Sequence, residues 1–73
     1  MSIKYKIDVL SALKKAGYNT TRLRREKLLA ESTIQKLRNK EPVSWANIDR
    51  ICKLLDCQPG DIMERVSDEQ EET

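Results

Sequence analysis

The residues most able to do chemistry in this 73-residue chain are cations crowded into one stretch. Positions 14–40 hold nine bases (Lys14, Lys15, Arg22, Arg24, Arg25, Lys27, Lys36, Arg38 and Lys40) against two acids, Glu26 and Glu31. A patch of that density attracts phosphate, because each cation brought to a polyanion releases a condensed counterion. Charge alone does not separate a phosphate-binding face from a solvated one. The formal net charge of +2 conceals the asymmetry, since the last seven residues carry Asp68, Glu69, Glu71 and Glu72 and no base. Residues 1–66 are therefore read as the folded domain and 67–73 as an acidic, disordered tail.

Other chemistries find little here. Histidine is absent, and with it the usual acid–base and zinc-ligating side chain. Cys52 and Cys57 lack the spacing and the companions of a zinc or haem site and read as two reduced thiols. No nucleophile–base pair, metal cluster or phosphate loop is visible, so the expectation is a protein that is not an enzyme and takes no cofactor or small-molecule ligand. A chain this short buries only about 60% of its unfolded surface, which leaves no room for a deep cleft. Lys4, Lys6 and Asp8 interrupt any leader-like apolar run, and no stretch approaches a membrane span. A cytoplasmic protein is expected.

The elements that must position the cations read as helices throughout, with no alternating strand pattern and no internal repeat. Tyr5, Val9, Ala12, Leu13 and Ala16 form one stripe at helical spacing, stopped by Gly17. Asn19 caps a second helix with Leu23 inward. A third follows "LLA", holds Ile34 and Leu37 inward, and ends at Asn39, a residue tolerant of left-handed backbone, before Pro42. Ser44 caps a fourth helix with the stripe Ile48, Ile51, Cys52 and Leu55, and Val43 with Ile48 fits a hydrophobic staple. "QPGDIMERV" is expected to form a fifth, with Pro59 and Asp61 in its first turn and Met63 filling space beneath it. Leu23, Leu29, Ile34 and Leu37 hold the second and third helices at a steep angle around a short turn near residues 27–30. That leaves the outer face of the third helix free, as a helix entering a DNA major groove requires.

At these residues, and through "STIQKLRNKEPVSWANIDRICKLLDCQPGDIM", the sequence resembles the helix-turn-helix domain of the phage repressor and Cro (XRE-like) type, in its short single-domain bacterial branch. The resemblance covers residues 5–66 or so. It implies an all-α, five-helix lambda-repressor-like fold with the helix-turn-helix at helices two and three. The family favours Gly at positive φ where Leu28 stands, a small residue where Arg24 stands, and a Ser or Thr cap where Ala30 stands; Ser32 is the alternative cap. Carried over by position, the resemblance sets Glu31, Ser32, Thr33, Gln35 and Lys36 toward base edges. It sets Thr20 on a phosphate, with Arg22, Arg38, Asn39 and Lys40 around the same face. The chemistry suits: Gln pairs with adenine, Lys reaches guanine acceptors, and Ser and Thr serve several bases. Glu31 either accepts from cytosine or favours the positive helix end.

Trp45 is expected to pack over Ile48 and the end of the third helix, with the sugar–phosphate backbone or a dimer contact as the alternatives. The implied function is a sequence-specific double-stranded DNA-binding transcriptional regulator, acting as a homodimer on an inverted-repeat operator. Ile62, Met63 and Val66 are candidates for the dimer surface. The rival is a protein-binding module of the same fold, such as an antitoxin whose acidic tail folds on its partner.

Overall fold

The computed structural model describes residues 2–67; the acidic positions 68–73 lie outside the described residues. A short strand, β1 (Ile3–Tyr5), leads into α1 (Val9–Lys15), α2 (Thr20–Arg25), α3 (Glu31–Arg38) and α4 (Trp45–Leu55). A single 3-10 turn, Pro59–Asp61, then feeds a second strand, β2 (Met63–Arg65). The strands pair antiparallel with Ile3 opposite Arg65, Lys4 opposite Glu64 and Tyr5 opposite Met63. The architecture is mostly helical, with four helices and a small ribbon where five helices were expected.

Two segments account for that difference. Asp8 caps α1 by accepting from the Ser11 amide at 3.2 Å, so the helix begins after it and Tyr5 belongs to the ribbon. That same amide hydrogen bond is the main reason the Asp8 carboxyl sits below the usual carboxylate range. At the other end, the Asp61 carboxylate accepts from the Gln58 amide at 2.9 Å and closes one turn. Met63 then pairs with Tyr5 instead of extending a helix. The Tyr5 hydroxyl donates to the Glu41 carbonyl at 2.6 Å, tying the ribbon to the loop that follows α3.

Asn19 and Ser44 cap α2 and α4 as expected, each accepting from the amide three residues on. Ala30 occupies the N-cap of α3 without a side-chain bond, and α3 starts at Glu31, so Ser32 lies inside the helix. All four helices end in a left-handed residue: Gly17, Lys27, Lys40 and Asp56. At each end the next amide reaches back to close the final turn, for example Leu28 to the Leu23 carbonyl at 2.9 Å. The positive φ thus falls on Lys27 and Lys40, one residue before Leu28 and one after Asn39.

Val9, Leu13, Leu23, Leu29, Ile34, Leu37, Ile48, Ile51, Cys52 and Ile62 form the core. Leu23, Leu29, Ile34 and Leu37 are all buried, which holds α2 and α3 at their turn. Ile62 is fully buried, so it is no part of an exposed dimer surface. Trp45 is 91% exposed and does not pack over Ile48.

Candidate nucleic-acid interface

Alternation along α3 builds the candidate face. Ile34 and Leu37 turn inward, and Glu31, Ser32, Gln35, Lys36 and Arg38 are left exposed. Thr33 departs from its expected place at a base edge. It is 5% exposed, and its Oγ1 accepts from Nδ2 of Asn47 on α4 at 3.0 Å. Its position just before Ile34 puts it on the flank that meets α4, so its hydroxyl holds two helices together.

The exposed face is organised by one carboxylate. Glu31 accepts from Nε and Nη2 of Arg24, the latter at 3.1 Å, and from Nε2 of Gln35 at 3.2 Å. The Arg24 hydrogen bonds, then that of Gln35, hold the Glu31 carboxyl below its ordinary range, and the same contact raises the Arg24 guanidinium. Glu31 is therefore ionised and neutralised locally by a residue of the preceding helix. Gln35, having given one N–H to Glu31, keeps a second N–H and its carbonyl oxygen, the donor–acceptor pair that matches the edge of adenine.

Beside this face, the start of α1, the start of α2 and the end of α3 enclose a concavity of about 410 Å³. Thr20, Arg38 and Lys40 line it together, joined by Lys14 and Asn19. Three expected phosphate contacts thus come from two stretches of chain, the start of α2 and the end of α3, to one place. The exposed Asn39, at the end of α3, lies between two of them in sequence. Arg22 is committed locally. Its guanidinium lies 4.5 Å from the Tyr18 ring centre, bonds the Gly17 carbonyl at 3.0 Å, and pairs with Glu26 at 2.8 Å. That set braces the turn between α1 and α2.

Two contributors had no local signal in the sequence. Arg50 of α4 donates to the Leu28 carbonyl at 3.1 Å, fastening the helix-turn-helix corner from behind. Arg24 meets Glu31 across the turn, seven residues away, where no helical spacing would pair them. The Glu31–Gln35 contact was foreseeable from its i, i+4 spacing. Among the described residues no group of His, Cys, Asp or Glu is arranged to hold a metal ion, and no helix is long and apolar enough to cross a membrane.

Residues 6–68 match the family model of the Cro/C1-type helix-turn-helix DNA-binding domain. The chain is also 36% identical over 69 residues to a Bacillus subtilis (strain 168) protein named as the uncharacterized HTH-type transcriptional regulator YozG. That likeness spans 94% of this chain and 82% of the relative. No solved structure gives a significant match.

Proposed function

The chain belongs to the Cro/C1-type helix-turn-helix DNA-binding family, and from that premise we propose that it regulates transcription by reading a specific duplex sequence with α3 in the major groove. Ser32, Gln35 and Lys36 read base edges, with Glu31 holding the Gln35 amide in place. Thr20, Arg38, Asn39 and Lys40 grip phosphates on either side, which fixes the position of α3 without carrying sequence information. One domain with so few base contacts gains useful specificity by pairing, so two copies bind an inverted repeat. Bound at a promoter in the cytoplasm, such a dimer blocks or recruits the transcription machinery.

The observation that carries this reading is the division of labour on the surface. Polar side chains on the outer face of α3 stand beside a cationic concavity assembled from three helix ends. Selection of bound sequences from a random duplex library tests it. Enrichment of one inverted motif is the expected result. Recovery of unenriched sequences, or of none, would leave the protein-binding alternative in its place.

A further inference from the structure

The four helix ends share one closure. A left-handed residue follows each helix, and the amide after it donates to a carbonyl five residues back: Tyr18 to Leu13, Leu28 to Leu23, Glu41 to Lys36 and Cys57 to Cys52. Such a closure sets the two side chains of each pair against one another. Three of the pairs are apolar or of opposite charge, types that suit a plain contact. At the end of α4 the pair consists of the only two cysteines in the chain. Asp56, at φ 54°, folds the backbone over between them, and the Cys57 amide reaches the Cys52 carbonyl at 3.0 Å. Cys52 is buried in the core, and the half-buried Cys57 packs against that core.

We propose that Cys52 and Cys57, free thiols in the structure, form a thiol–disulfide exchange site that takes low-molecular-weight disulfides of the glutathione class and closes into a bridge across the end of α4. Cys57 releases its proton to solvent, and its thiolate attacks one sulfur of the small disulfide. A mixed disulfide forms at Cys57 and one thiolate leaves. Cys52 then gives up its proton and attacks the Cys57 sulfur, expelling the second thiolate. The two departing thiolates take up the two protons. The chain has lost two electrons and two hydrogens, and the small disulfide has become two thiols. Access sets the order. Cys57 is open to the reagent, whereas burial, and then the neighbouring Cys57 thiol, push the Cys52 thiol up. Cys57 leads directly into Gln58, which caps the turn Pro59–Asp61 ahead of buried Ile62 and β2. Closing the bridge therefore pins the join between α4 and the returning strand. No step depends on the DNA-binding reading.

Oxidised glutathione is the probe, added to the full folded chain at about pH 8, where an ordinary thiol is partly ionised. After acid quenching, the intact mass should fall by two hydrogens, with no glutathione retained. Trypsin cuts after Arg50, Lys53 and Arg65, so the bridge should leave residues 51–53 joined to 54–65 until a reductant parts them. Cys52→Ser should stop at the mixed disulfide on Cys57. Cys57→Ser should take up glutathione at least about tenfold more slowly than Cys52→Ser, because its remaining thiol is buried. The equilibrium constant for bridging should be at least about tenfold greater in the folded chain than in urea, and by linkage the bridge should favour folding by the same factor. The Cys57 amide should exchange at least about tenfold more slowly once the bridge has closed. Thiols that stay free, glutathione retained on Cys57 of the wild type, or bridges only between copies would each overturn the proposal. An equal bridging constant in urea would do the same, leaving the pair as two small core-filling side chains.

Discussion

Replacing Gln35 by Ala removes the one amide on α3 that the structure holds in a defined orientation. Its Nε2 donates to Glu31 at 3.2 Å, and Arg24 donates to the same carboxylate. One N–H and the carbonyl oxygen remain for a base, which amounts to a single bidentate pair. Losing such a pair costs about 1–3 kcal/mol on the preferred sequence, or roughly 5- to 150-fold in affinity. Duplexes altered at the base pair that Gln35 reads should bind the variant and the parent about equally. Arg24→Ala acts on the same base pair indirectly. It leaves the Glu31 carboxylate uncompensated beside phosphates and frees the Gln35 amide to turn over. Preference for adenine should therefore relax, and every duplex should bind more weakly, by about three- to tenfold at low salt. Competition titrations over the four base pairs at each position measure both effects. Unchanged preference in Gln35→Ala, with all duplexes bound as before, would show that Gln35 reads no base.

Thr33→Val takes the acceptor away from Asn47 and should lower stability by about 1 kcal/mol, read as a fall in the urea midpoint. Its sequence preference should not change. Lys27→Gly relieves a left-handed residue with a side chain and should stabilise the fold by about 0.5–1 kcal/mol in thermal or urea unfolding, even though a cation is lost. Burial pushes the Cys52 thiol up, so alkylation of the native chain at mildly alkaline pH should mark the half-buried Cys57 well before Cys52 by mass spectrometry.

The helical core was legible because the apolar stripes repeat at a single period, and Leu23, Leu29, Ile34 and Leu37 fall where that period puts them. Caps at Asn19 and Ser44 were legible for the same local reason. The ribbon was not. Three-residue strands are too short to show alternation, and "IKY" and "MER" pair only because the fold brings residues 3–5 beside residues 63–65. Lys27 and Lys40 in left-handed backbone were hidden because nothing local marks Lys for that conformation; the geometry of the helix ends imposes it. At the interface, the exposed flank of α3 followed from Ile34 and Leu37, and Thr33 shows the limit of that argument. A residue at the edge of a stripe turns inward when a partner such as Asn47 waits there. The exposure of Trp45 ran against its apolar character, and nothing local in the sequence marked it.

A cationic face that holds a DNA duplex should reveal itself when the chain is titrated with its selected duplex across a range of salt concentrations. Two copies neutralising about 6–10 phosphates should give a slope of log K against log salt of roughly −5 to −9, made shallower by Lys40→Ala. No affinity for duplex even in dilute salt, or an affinity that salt does not change, would mean that this face does not hold DNA.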